Sequence, residues 1–169
     1  MPVTARGNIF KLFISMVSLP IIAARLHLLH RWNCPWTADA LPDRRTVGAY
    51  GELVAASFLR AQGVKILRRN FRWGRRGEVD LVARQGETLV FCEVKSATST
   101  AAGAPGRTVN RAKRELLRRG ARNWLHLLGR PVPYRFDVVE VLLFPGEKPR
   151  LNWIRKAFTM AEGGSFPRV

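Results

Sequence analysis

Acidic residues are scarce in this chain. Its 169 residues hold 12 Asp plus Glu against 29 Lys plus Arg, a formal charge of +17. Such an imbalance calls for a polyanionic partner, either nucleic acid or an anionic membrane surface, and says nothing about fold. Cysteine is nearly absent. Cys34 and Cys92 cannot make a disulfide framework, and neither sits in a CxxC or Cys/His metal spacing, which fits a reducing compartment and thiol-independent chemistry. His27, His30 and His126 show no ligand spacing, and no Ser/His/Asp arrangement emerges for another kind of hydrolase. A long hydrophobic run is missing too. The uncharged stretch from Leu12 to Ala24 is 13 residues long and contains Pro20, short of the roughly 20 that a membrane-spanning helix needs. Apolar material, by contrast, is ample: 47% hydrophobic residues and five Trp exclude a disordered polybasic tail.

Residues 1–46 read as an extension ahead of one domain at 47–158, with a tail at 159–169. Three readings of the extension stand open. It is an appended helix or residues translated upstream of the true start; or an interfacial helix within residues 9–32, inserting Phe10, Phe13, Val17 and Trp32 with Lys11, Arg25 and Arg31 at headgroups; or a signal peptide ending near Ala23-Ala24. Trp32 to Arg45, with two prolines, reads as a linker.

In the domain, Val47, Tyr50, Gly51, Val54 and Phe58 recur at helical spacing, with Thr46 as the expected cap and Gly63 as the stop. Strands are expected at Val64–Phe71, Glu78–Gln85 and Thr88–Lys95, with Gly86-Glu87 as a type II′ turn. A flexible loop at 96–106, a helix over Arg107–Leu128, a strand over Arg135–Phe144 and a short strand near Leu151–Ile154 follow. The fold class is α/β, a sandwich around a mixed sheet.

The few acids then become informative, because an unpaired carboxylate inside an apolar strand is costly. Alternation puts Leu89, Phe91, Glu93 and Lys95 on one face, and Glu78, Asp80 and Val82 on one face of the preceding strand, with Val79, Leu81 and Ala83 behind. A two-residue turn sets Asp80 opposite Glu93 and Glu78 opposite Lys95. Two carboxylates so placed repel unless one is protonated or a cation sits between them. A divalent ion such as Mg²⁺ accepts two carboxylate oxygens together with waters and phosphate oxygens. Lys95 can then hold the attacking water or stabilise a pentacovalent phosphate. The alternative is a half-exposed surface ion pair between Glu93 and Lys95, of a kind that stabilises little.

The segments GAYGELVAASFL (Gly48–Leu59), RRNFRWGRRGEVDLVA (Arg68–Ala83), TLVFCEVK (Thr88–Lys95), RFDVVEV (Arg135–Val141) and IRKAF (Ile154–Phe158) resemble, in order, the YraN family of predicted endonucleases. That family looks like the Holliday-junction-resolvase branch of the restriction-endonuclease-like, PD-(D/E)xK fold. The resemblance implies an α-β-β-β-α-β core and Mg²⁺- or Mn²⁺-dependent cleavage of phosphodiester bonds. By position, Asp80 would be the motif aspartate, Glu93 and Lys95 the ExK pair, and Glu52 the glutamate of the first helix that assists the metal site. Glu78 reads as a further acid near the site or, more simply, as a partner for Lys95 or a nearby arginine. Two positions depart from the pattern: Val79 replaces the proline, and Ala97 stands where members often carry a basic residue. Junction-resolving relatives act as dimers, so a homodimer is part of the expectation.

The remaining basic residues fall into patterns. Arg107, Arg111, Arg114, Arg118 and Arg122 make one stripe at helical spacing, a candidate track for nucleic-acid backbone. Arg68, Arg69, Arg72, Arg75 and Arg76 crowd the loop before Asp80 as a duplex clamp, and Trp73 among them either stacks on a base or packs, packing being the expectation. Lys113 points away from the stripe and is expected to lean over the site toward phosphate, or else to cover apolar surface. The leading expectation is a cytoplasmic, metal-dependent endonuclease acting on DNA, branched or repair intermediates included. Its rivals are a DNA-binding module without catalysis and a protein held at a membrane surface by residues 9–32.

Overall fold

The computed structural model describes residues 33–74, 77–98 and 109–160. Expectations for residues 1–32, for Arg75, Arg76 and Arg107, and for residues 161–169 lie outside the described residues. Those described form a mixed α/β unit of two helices and a five-stranded sheet: α1 (Arg44–Ala61), β1 (Lys65–Trp73), β2 (Gly77–Gln85), β3 (Thr88–Ala97), α2 (Arg111–Leu128), β4 (Tyr134–Leu142) and β5 (Arg150–Phe158). The strands lie in chain order. β3 and β4 are parallel, joined across α2, and every other neighbour pair is antiparallel. Among the described residues no helix is long and apolar enough to cross a membrane.

α1 begins a turn earlier than its apolar spacing suggests. Asp43, not Thr46, is the cap: its carboxylate accepts the Thr46 N–H at 2.7 Å, satisfying one of the donors a helix start leaves open. Gly63, at φ 77°, closes the other end. Its N–H donates to Arg60 O and that of Val64 to Leu59 O, the paired bonds of a Schellman motif. The chain just before α1 is also part of the packed unit, which runs from Asn33 onward. Cys34 is buried and exchanges backbone hydrogen bonds with Gly146 and Glu147, and Trp36 meets Tyr50 edge-on at 5.0 Å.

The two helices cover opposite faces of the sheet. On the α2 face Leu117 and Ala121 pack with Val79, Val82, Phe91, Phe136 and Phe158. On the other, an added Cβ at Gly51 of α1 would fall on Ser96 Oγ, so that helix needs glycine to lie flat on β3. Gly86, at φ 57°, leads the β2–β3 turn, and Glu87 is not among the positive-φ residues, as a type II′ turn requires.

β2 breaks its own alternation. Val79 and Val82 both lie in the α2-side core, although residues three apart on a regular strand face opposite ways. The change of face falls at Asp80. Between the pairs Arg69↔Leu81 and Phe71↔Val79, Asn70 of β1 takes φ 49°, the mark of a locally kinked ladder. The expected back row of Val79, Leu81 and Ala83 is thus corrected: Val79 turns forward onto α2. There Gly120 admits it, since a Cβ at Gly120 would stand 2.7 Å from Val79 Cγ2 and 3.3 Å from Glu78 N. Gly120→Ala gains about 1 kcal/mol of helix propensity but overpacks a stiff valine and a backbone, which costs about 1–3 kcal/mol. Net destabilisation in urea unfolding is the expected outcome, and an increase in stability would show that the β2–α2 contact relaxes freely.

Candidate functional site

The hairpin turn sets the register Gln85↔Thr88 through Leu81↔Cys92, so the next positions along are Asp80 and Glu93. Here the ladder changes character. Asp80 Oδ2 accepts the Val94 N–H at 2.8 Å, a carboxylate taking over from a backbone carbonyl. Both acids are buried, Asp80 at 7% and Glu93 at 2% relative exposure. Two lysines reach them from different elements. Lys95 Nζ, on β3, is 3.0 Å from Glu93 Oε1. Lys113 Nζ, on α2, is 3.2 Å from Glu93 Oε2 and 3.7 Å from Asp80 Oδ1. The Lys113–Glu93 contact is one of charge without aligned hydrogen bonding, since Oε2 is buried and has no hydrogen-bond partner among the described residues.

These surroundings hold the Glu93 carboxyl at about 7. Burial is the main cause and the Asp80 charge the next; Lys113 and Lys95 oppose them without restoring the ordinary carboxylate range. The sign of the pH effect follows. An acid whose folded value lies above its unfolded one binds more protons when folded, so its contribution to stability falls as pH rises between about 4.5 and 7. In EDTA, the wild-type melting temperature is expected to carry a downward component over that window which Glu93→Gln removes. Parallel profiles for the two proteins would contradict the assignment.

Glu52 approaches from another element. It projects from α1, with Oε2 3.8 Å from Arg69 Nη2. Its carboxyl is raised by burial and, more weakly, by the Asp80 charge, against a hydrogen bond from Asn70. Among the described residues no three His, Cys, Asp or Glu stand together as a metal-holding group, although Glu52 is near enough to Asp80 to feel its charge. The donors present do suit a hard ion of the Mg²⁺ kind, which is commonly held by one or two carboxylates with water and phosphate completing its shell. They do not suit an ion enclosed by protein alone.

The expected basic track is only partly exposed. Arg111 is exposed at the start of α2, but Arg118 is 2% exposed, donates from Nε to Thr159 O at 3.0 Å and lies over the Phe158 ring. Arg114 turns its Nε to Val109 O, and Arg122 pairs with Glu115 at 3.4 Å. As a phosphate-binding residue Arg118 is therefore corrected to a buried packing residue, because helical spacing does not tell the solvent side from the β5 side. Arg72 remains exposed and pairs with Glu78 at 3.1 Å. Glu78 thus faces β1, in the Arg72↔Glu78 register, rather than Lys95. Trp73 is half exposed, not packed.

Two further acids, outside the expected site, lie in RFDVVEV. Asp137 is fully buried, and both its oxygens are occupied by Arg135 Nε, Trp153 Nε1 and Lys156 N, each at 3.0 Å. Glu140 accepts from Asn152 at 2.9 Å and lies beside Lys95 in register. The signal was available, since both are acids in an apolar strand. Asp137 is saturated with fixed donors, whereas Glu93 Oε2 has only the mobile Lys113 ammonium, at 3.2 Å and without aligned hydrogen-bond geometry.

Residues 51–141 match the model of the Uncharacterised protein family UPF0102. The chain belongs to the UPF0102 family. This is the YraN family whose motifs its sequence carries. A UPF0102 protein of Symbiobacterium thermophilum is 47% identical over 115 residues, 68% of this chain and 97% of that one. One from Nocardia farcinica is 42% identical over 117 residues, 69% of this chain and 91% of its own, and one from Anaeromyxobacter dehalogenans is 47% identical over 116 residues, covering 68% and 85%. Asp80, Glu93, Lys95 and Lys113 all fall inside the UPF0102 match.

Proposed function

We propose that this chain is a Mg²⁺- or Mn²⁺-dependent endonuclease that hydrolyses phosphodiester bonds of DNA on a restriction-endonuclease-like core. The observation that carries the reading is the pair of buried, mutually repelling carboxylates, Asp80 and Glu93, set beside two lysines in a chain of charge +17. The order of helix, three strands, helix and strand, with the β3–β4 pair parallel, agrees with such a core. Asp80 and Glu93 would hold the divalent ion, which supplies charge neutralisation and activation of water when bound.

The protein's own groups do the rest. Lys95, its side chain 41% exposed, extends outward from the buried Glu93 and meets the phosphate oxygens on which charge grows during attack. The kink at Asp80 and the Val94 N–H fix the Asp80 carboxylate, so its oxygens need not reorganise as the reaction proceeds. Arg72 and Arg111, both exposed, contribute the sequence-independent attraction for the backbone. A DNA-binding module without catalysis would use the same arginines but gives no reason to bury Asp80 beside Glu93, whose carboxyl stays raised despite Lys95 and Lys113. Incubation with linear, nicked, flapped and four-way DNA, with Mg²⁺, Mn²⁺ or EDTA, tests the proposal: cleavage only with metal supports it, and retarded but uncut DNA under every condition supports the binding module instead.

A further inference from the structure

Lys113 occupies a position that its own helix disfavours. Asn110 caps α2 by accepting the Lys113 N–H at 2.9 Å, which makes Lys113 the third residue of the first turn. There the helix dipole is repelled by a cation, and the side chain gives up part of its hydration by burial. The compensation comes from the two strands it faces, β2 and β3. Of the four oxygens of the acid pair, Glu93 Oε1 is met by Lys95, Asp80 Oδ2 by the Val94 N–H, and Glu93 Oε2 and Asp80 Oδ1 both by Lys113. The ammonium therefore stands where two carboxylates need a cation between them.

We propose that Lys113 is a tethered resident cation, holding the place between Asp80 and Glu93 and yielding it to the divalent ion. This rests on the reading of Asp80 and Glu93 as the ion's ligands. The geometry accounts for an otherwise unfavourable lysine. A single point charge on a flexible stem can satisfy both acids at 3.2 and 3.7 Å and still withdraw without disturbing the backbone. Ion binding and the Lys113 contact are then competitors, so removing the ammonium tightens ion binding while weakening the ion-free fold.

The test is Mn²⁺ binding to the full chain, stripped with EDTA, followed by the electron paramagnetic resonance signal of free Mn²⁺. Lys113→Met, which keeps much of the stem, is expected to bind Mn²⁺ about tenfold tighter or more, since the contacts of the ammonium with both carboxylates, at 3.2 and 3.7 Å, no longer have to be broken. Lys95→Met, which frees Glu93 alone, is expected to gain less. Lys113→Gln and melting curves guard against a variant that only misfolds: both Lys113 variants should melt below wild type in EDTA and regain more than wild type does with Mn²⁺. Wild-type binding that Asp80→Asn abolishes but Lys113→Met leaves unchanged overturns the competition and spares the metal site. An equal gain from Lys95→Met also overturns it, as a general charge effect. Absence of Mn²⁺ binding by every protein at millimolar ion overturns both this inference and the metal-dependent reading.

Discussion

Asp80→Asn and Glu93→Gln are each expected to lower metal-dependent DNA nicking by about a thousandfold while leaving DNA binding in EDTA intact or slightly tighter. The substitutions are close to isosteric. Asp80→Asn keeps a side-chain carbonyl oxygen to accept the Val94 N–H that the native carboxylate takes at 2.8 Å, so the kinked ladder has its replacement bond. Glu93→Gln relieves the repulsion that, with burial, raises the native carboxyl to about 7, so the variant protein is expected to be at least as stable as wild type at pH 8. Loss of activity without loss of fold follows from that combination, and gel retardation beside a single-turnover nicking assay separates the two. Binding does not fall because each change removes negative charge from a strongly basic chain. Wild-type nicking by either variant would take catalysis away from this pair.

The largest expected effect on stability lies elsewhere. Asp137→Ala is expected to cost about 3–5 kcal/mol in urea unfolding, the range for removing one partner of a buried ion pair. Arg135, itself largely buried, would lose its carboxylate at 3.0 Å; the Trp153 indole and the Lys156 N–H would lose their acceptor as well. Those losses converge on the irregular end of β5, where the register with β4 shifts between Phe136 and Val138 and Lys156 takes φ 53°. Arg135 also donates to Gln85 Oε1 at 2.8 Å, as does Arg155, so the network joins β2, β4 and β5. Destabilisation under about 1 kcal/mol, the size of an ordinary exposed contact, would mean that water replaces the carboxylate at little cost, and that the network is not what holds β5 in place.

What could be read from the sequence was mostly local. The Gly86-Glu87 turn sets a register, and from it the meeting of Asp80 and Glu93 follows by counting. Lys113 could be placed near them because helical geometry sends it away from the arginine stripe. Long-range substitutions for backbone hydrogen bonds could not be read. Asp80 bonding Val94 N and Asp137 bonding Lys156 N are separated by 14 and 19 residues. The first lets β2 turn Val79 onto α2 against strict alternation. The second carries β5 through Lys156 to Phe158, beyond the short strand its apolar residues suggest. Periodicity also cannot tell which side of a basic stripe faces solvent. Arg118 belongs to the stripe by spacing, yet Thr159 O and the Phe158 ring lie beyond it and bury it. Two prolines make Trp32 to Arg45 read as linker, whereas the buried Cys34 and the Asp43 cap tie residues 33–43 of it into the unit.

The role proposed for Asp80 and Glu93 is to hold a divalent ion for phosphodiester hydrolysis. The most direct test is nicking of supercoiled circular DNA by the purified full chain with Mn²⁺ or Mg²⁺, beside EDTA and beside Asp80→Asn. Relaxed circles are expected only for the wild type with metal. Intact supercoiled DNA under every condition, or equal nicking by the wild type and Asp80→Asn, would contradict it.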